Sequence, residues 1–330
     1  MPASTKASRL LPFFTTALQQ FQHSKNTFAV LCSVTATTIL ADELSSPSPL
    51  RSTPPILLVL DSSFNPPTVA HRRMVLSALS SNVDKDIERP TIPSRVLLLL
   101  AINNADKSPK PAAFPERLAM MYIFAEDLLL SRQQTQQPGN NSMTTSSTNR
   151  RSGSLDGIDI AVTTEPYFHD KSAAVQNSGF YYDLPASTEE KAQEYRHHRQ
   201  MEQVYLTGFD TLIRIFNSKY YPGQDMSAVL DPFFAHSSLR VTMRTDADWG
   251  DAAAQWQYLD DLRAGRLDEM GGKGGWIEKI SMVEGRKEGE DVVSSTKVRD
   301  AVKSADWDRL GSLTGAGIAE WVRRQKLYEE

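Results

Sequence analysis

Two short stretches carry residue types suited to holding an anion. The first reads Asp61-Ser62-Ser63-Phe64-Asn65-Pro66-Pro67-Thr68-Val69-Ala70-His71. Its two prolines cannot continue a strand. Thr68 has the side chain of a helix N-cap, and His71 falls within the first turn, beside N–H groups that no helical carbonyl satisfies. An imidazole next to free N–H groups at the positive end of a helix dipole suits a phosphate. The second stretch reads Val293-Ser294-Ser295-Thr296-Lys297-Val298-Arg299. Three consecutive hydroxyls open a helix with Lys297 and Arg299 close behind. Hydroxyls, N–H groups, dipole and cations would converge on one anion. Taken alone, the second stretch also reads as an ordinary capped helix with two solvated bases.

Positioning such groups requires elements, and the chain supplies them in alternation. Ile56–Leu60 is a run of five aliphatic residues, the pattern of a strand buried on both faces. Further strands are expected at Val96–Leu100, Ile158–Val162, Val204–Thr207, Leu239–Met243 and Trp276–Val283. Between and after them lie helical segments at Thr68–Leu79, Pro115 to about Leu130, Thr211–Ser218, Ala228–Phe234, Asp248–Met270, Ser295–Ser304, Trp307–Leu313 and Gly317–Gln325. Alternating strands and helices predict an α/β fold: a doubly wound, Rossmann-like parallel sheet covered on both faces, with C-terminal helices. Ligands on such sheets bind outside the carboxyl ends of the strands. The loops there carry Asp61 to His71, Lys107 and Lys110, Glu165 to Phe168, Gly208 to Asp210, and Arg244.

The rest of the composition excludes several classes. The chain has 330 residues with a net charge of −4, which argues against a general nucleic-acid or anionic-membrane binder. Its single cysteine, Cys32, allows no internal disulfide and no cysteine-based zinc site. No apolar run is long enough to span a bilayer. Residues 1–55 read as an N-terminal extension with a helix whose apolar face holds Leu10, Phe14, Ala17, Leu18 and Phe21, a strand-like run at Phe28–Leu31, and a Ser/Pro linker. The absence of acids before Asp42 also fits a mitochondrial transit peptide, so mitochondria stay open beside a cytoplasmic or nuclear default. Residues 56–330 read as the main domain. It has a polar, low-complexity insertion at 132–154 expected to be disordered and an irregular insertion at 165–203, both available to a protein partner. Gly271-Gly272-Lys273-Gly274-Gly275 lacks the ending of a phosphate loop and reads as a connection.

Taken together, Ser-Phe-Asn-Pro followed by Thr-x-x-His near one end, and Ser-Ser-Thr-Lys-Val-Arg near the other, resemble the nucleotidyltransferase superfamily. The resemblance is closest to eukaryotic nicotinamide or nicotinate mononucleotide adenylyltransferases. Asn103-Asn104-Ala105-Asp106-Lys107, Gly208-Phe209-Asp210, Val241-Thr242-Met243-Arg244 and the tail from Ile318 to Tyr328 resemble further segments of that family. Two positions depart from it. Ser62 stands where the family has glycine, and Glu165-Pro166-Tyr167-Phe168 lacks the family's tryptophan.

The resemblance implies adenylyl transfer from ATP to a pyridine mononucleotide, giving NAD or deamido-NAD and pyrophosphate. Such a site works by positioning and charge stabilisation. It assigns His71, Lys107 and Arg299 to catalysis. Ser63, Phe64, Asn65, Thr68, Gly208, Asp210, Arg244, Ser294, Ser295 and Thr296 fall to substrate and ATP binding, with Tyr167 and Phe168 as candidate pyridine contacts. Mg2+ would arrive with ATP, with no metal ligand from the protein. Two other readings stand beside it. One is a superfamily member with another substrate or simple ATP hydrolysis; the other is a nucleotide-binding module that engages a protein.

Overall fold

The computed structural model describes residues 3–50, 53–81, 94–103, 111–136, 155–181, 201–221, 223–244, 249–285 and 290–330. Seven strands form one sheet: β1 (Phe28–Val34), β2 (Ile56–Asp61), β3 (Ser94–Ala101), β4 (Leu155–Thr163), β5 (Glu202–Gly208), β6 (Ser237–Thr242) and β7 (Ile280–Val283). Their order is β1-β4-β3-β2-β5-β6-β7. β1 alone runs antiparallel, on the edge against β4; the other pairings are parallel. Leaving β1 aside, the six parallel strands follow the 3-2-1-4-5-6 order of the doubly wound dinucleotide-binding fold. The order reverses between β3–β2 and β2–β5, so the crevice at the switch point opens above the carboxyl end of β2.

The aliphatic runs explain the layering. Successive residues of β2 point to opposite faces. Leu58 and Leu60 join one core cluster, and Leu57 and Val59 the other. The first cluster is covered by α1 (Ala3–His23), α3 (Val69–Ser81), α4 (Phe114–Gln136) and the C-terminal helices α9 (Ser295–Lys303), α10 (Trp307–Leu313) and α11 (Ala316–Arg324). A short helix, α2 (Ala36–Ala41), follows β1. The second face is covered by α5 (Phe168–Asn177), α6 (Phe209–Ile215), α7 (Met226–His236) and α8 (Ala252–Asp261).

The N-terminal segment is part of this architecture. Leu10, Phe14, Leu18 and Phe21 are buried in the same cluster as Leu58 and Leu98. β1 also extends the sheet through its pairing with β4. A buried ion pair fastens that edge. Arg95 Nε and Nη2 donate to the two oxygens of Asp159 at 2.6 and 2.7 Å. Ser33 on β1 and Tyr181 donate to the same carboxylate at 2.5 and 3.0 Å. All of its hydrogen-bonding capacity is therefore directed at named partners, which is what a buried charge requires.

Several boundaries differ from the sequence expectation. The first part of the 165–203 insertion is not irregular: residues 168–177 form α5, with Ala173, Ala174 and Val175 supplying local helix content. The start of the 132–154 insertion, residues 132–136, continues α4, while 137–154 lie outside the described residues. The expected helix Asp248–Met270 is kinked rather than continuous: α8 (Ala252–Asp261) passes into a π-helical turn at Leu262–Arg266, where Gly265 takes φ 120°, and then into a last helical turn at Leu267–Glu269. The expected strand Trp276–Val283 begins as a single-turn helix at Gly274–Lys279, where Trp276 stacks on Phe234 (5.1 Å), and becomes extended only at Ile280.

Candidate active site

β2 ends at Asp61, and the chain crosses the carboxyl edge of the sheet through Ser62–Pro67 before entering α3. Phe64 takes a left-handed backbone (φ 44°), which is rare for a bulky residue, and its ring is fully buried. The burial of that ring holds the loop in a conformation the local sequence would not choose. Asn65–Pro66 is cis.

His71 is fixed from both sides. The Thr68 backbone N–H donates to Nδ1 at 3.0 Å, and Thr68 Oγ1 lies 2.9 Å from the same atom. A backbone N–H can only donate, so Nδ1 is the acceptor and the ring proton sits on Nε2. Nε2 lies 2.9 Å from Ser62 Oγ. Phe64 packs beside the ring, with centroids 5.6 Å apart. Burial lowers the His71 pKa from the usual 6.5 to about 4, so the ring is a neutral donor at ordinary pH.

The second motif is bonded to this loop. α9 starts at the N-cap Ser294, whose side chain accepts from the Lys297 N–H. Ser295 Oγ donates to the Pro66 carbonyl and Arg299 Nη1 to the Asn65 carbonyl, each at 2.8 Å. Arg299 Nη2 donates to Thr296 Oγ1 at 3.0 Å. Beyond α11, the Tyr328 hydroxyl donates to Asn65 Oδ1 at 2.9 Å, and burial raises the pKa of that phenol. Segments more than 220 positions apart in sequence thus meet on two consecutive carbonyls. This brings Asn65, Thr68, His71, Ser295, Thr296 and Arg299 together as the sequence expected, with Ser63 and Phe64 in the same loop and Ser294 at the helix start.

The remaining expected residues lie elsewhere along the carboxyl edge. Gly208 ends β5, and Asp210 opens α6. A Cβ at Gly208 would stand 2.6 Å from the Asp210 carboxylate, so glycine lets that side chain fold back over the strand end. Arg244, just past β6, lies 3.3 Å from Asp210, and Arg214 lies 3.9 Å from it. Tyr167 precedes α5 and stacks on His169 (5.6 Å, 5° between planes), with Tyr220 set edge-on at 6.3 Å. Phe168 instead packs on Tyr205 in the second core cluster. Lys107 lies outside the described residues.

Three contributions were not read from the sequence. Lys171 reaches from α5 to Asp61 (Nζ to Oδ2, 2.5 Å) and passes over the Phe168 ring. Both charges are nearly enclosed, so the acid at the start of the loop is neutralised from within. Tyr220 gave no signal because it sits in a short turn between α6 and α7. The Ser62–His71 bond was hidden because the two residues were assigned to separate elements. Among the described residues no group of three His, Cys, Asp or Glu side chains could hold a metal ion. Among the same residues no helix is long and apolar enough to cross a membrane.

A Schizosaccharomyces pombe protein provisionally named nicotinamide mononucleotide adenylyltransferase is 32% identical over 250 residues, spanning 76% of this chain and 77% of that protein. The chain belongs to the nicotinamide mononucleotide adenylyltransferase family. It is thus a nucleotidyltransferase. No family model matches. Two Plasmodium falciparum structures of nicotinic acid mononucleotide adenylyltransferase, complexed with NaAD and with APC, align over 83% of this chain. They are 12% and 11% identical, cover 97% and 96% of those chains, and give TM-scores of 0.39 and 0.38. A likeness that loose decides nothing about this member of the family.

Proposed function

We propose that this adenylyltransferase-family chain joins ATP to nicotinamide or nicotinate mononucleotide, releasing pyrophosphate and forming NAD or its deamido form. The observation that carries this reading is the pair of bonds from Ser295 and Arg299 to the Pro66 and Asn65 carbonyls, which set the His71 loop against the hydroxyl-rich start of α9. A phosphate chain laid along that junction meets the loop that carries His71 at one end. At the other it meets the Ser294–Thr296 segment with its free N–H groups. The attacking phosphate is already an anion, so no general base is called for. The groups present donate hydrogen bonds and positive charge to an in-line transfer. Asp210, backed by Arg244, suits ribose hydroxyls. Tyr167, faced by Tyr220, offers a ring for the pyridine, whereas Phe168 belongs to the core.

Mg2+ fits this site as a companion of the nucleotide. Asp61 is already bonded to Lys171, and the donors that line the loop are N–H, hydroxyl and guanidinium groups rather than carboxylates. Its chemistry is to screen the charge on the phosphates. The test is incubation with Mg-ATP and either mononucleotide, reading dinucleotide and pyrophosphate. Phosphate released without dinucleotide would instead indicate hydrolysis or another acceptor.

A further inference from the structure

His71 is a residue that the family resemblance assigns to catalysis, yet its one ring proton is already committed. Nδ1 accepts from the Thr68 N–H, which leaves one ring proton, on Nε2, and Ser62 Oγ lies 2.9 Å away. In that pair Ser62 accepts, because a ring nitrogen that carries its proton can only donate. A serine hydroxyl that accepts keeps its own O–H to give. Ser62 is half-buried and holds its backbone in place through an N–H···O bond to the Leu99 carbonyl at 3.2 Å, so the hydroxyl sits on a fixed support at the end of the sheet.

We infer that Ser62, polarised by His71, is the hydrogen-bond donor that meets the nucleotide phosphate, and that His71 acts through it as a positioning residue. This rests on the reading that the loop holds a nucleotide phosphate. The chain His71 Nε2–H to Ser62 Oγ–H to phosphate oxygen moves no proton and breaks no bond; it places a polarised donor one side chain further out than the imidazole. Consecutive hydrogen bonds strengthen each other, so the serine donates more strongly than it would alone. The serine that departs from the family's glycine is then an added arm of the site rather than an obstruction.

The order of two variants separates this role from simple space-filling. Ser62→Ala keeps the bulk and removes the relay, leaving a methyl between imidazole and phosphate. Ser62→Gly removes the bulk and lets His71 approach the phosphate directly. The relay predicts that wild type exceeds Ser62→Gly and that Ser62→Ala is worst, with a loss of about tenfold to hundredfold. A packing role predicts the reverse, with alanine the milder change.

The readout is affinity for Mg-ATP and for each diastereomer of ATPαS by calorimetry, with no second substrate present. The relay also predicts that Ser62→Ala loses the preference that wild type shows between the diastereomers. Equal affinities in all three proteins, alanine milder than glycine, or a diastereomer preference unchanged in Ser62→Ala would overturn the inference. Dinucleotide formation is scored separately. A wild type that binds Mg-ATP but forms no dinucleotide would sink the proposed activity, while the variant order would still judge the relay.

Discussion

His71 shows how much of the chemistry is set by two neighbours. The Thr68 N–H fixes which nitrogen is bare, and burial keeps the ring uncharged by lowering its pKa to about 4. The folded protein therefore binds fewer protons at this residue than the unfolded chain does between pH 6.5 and about 4. The contribution to stability is intact above the unfolded value and is lost as pH falls through that window. An NMR titration of the His71 ring carbons should give a midpoint near 4, with the signal flat around neutrality. A midpoint near 6.5 would mean that the ring is solvated and that the donor geometry around it is wrong. Cys32, by contrast, belongs to the core: burial pushes its thiol up to about 12, and it has no place in the site.

At the scale of elements, the site depends on α9 being clamped to the loop after β2. Arg299 contributes one nitrogen to that clamp, donating to the Asn65 carbonyl, while its other terminal nitrogen donates to Thr296 Oγ1 on α9 itself and so fixes the side chain's direction. A planar fork can serve both at once, and a lysine ammonium on a flexible stem cannot reproduce it. Arg299→Lys should therefore lose most of the activity, about tenfold or more, although charge is conserved and the melting temperature barely changes. Near-normal turnover by the lysine variant would show that only the charge matters. The same scale explains what was legible beforehand. Five aliphatics followed by two prolines, and three hydroxyls before two bases, mark a strand end and two helix starts through purely local rules, and those predictions survive in the structure. The contacts that complete the site do not obey local rules. Lys171 on Asp61, Tyr220 on Tyr167 and Tyr328 on Asn65 each join residues more than fifty positions apart. Nothing in the spacing of either partner encodes the meeting.

At the scale of the whole molecule, the described residues build six parallel strands with an antiparallel strand added at one edge, and the Arg95–Asp159 pair is where that addition is secured. Asp159 collects donors from β1, from β3 and from Tyr181 beyond α5. Asp159→Asn would leave the buried Arg95 guanidinium without its counter-charge. Chemical denaturation should show a loss of about 3–5 kcal/mol, without any direct change at the His71 loop. A loss under about 1 kcal/mol would mean that water reaches the pair. The alternation of strands and helices made the doubly wound core readable from sequence. The edge strand was harder to place, because a short apolar run says nothing about which edge it joins or in which direction. Glycine and aromatic packing account for the rest: Gly265 kinks the long helix, and Trp276, stacked on Phe234 and Phe216, sits in a 3-10 helix where the last strand was expected to start.

The central claim is that the His71 loop and the α9 start form one site for adenylyl transfer to a pyridine mononucleotide. The most direct test is to supply Mg-ATP with nicotinamide or nicotinate mononucleotide and quantify dinucleotide and pyrophosphate for wild type and for His71→Ala. The account predicts equal amounts of dinucleotide and pyrophosphate from wild type, and a rate at least about a hundredfold lower from a folded His71→Ala. Absence of dinucleotide with either mononucleotide, or a His71→Ala enzyme that keeps its rate, would contradict it.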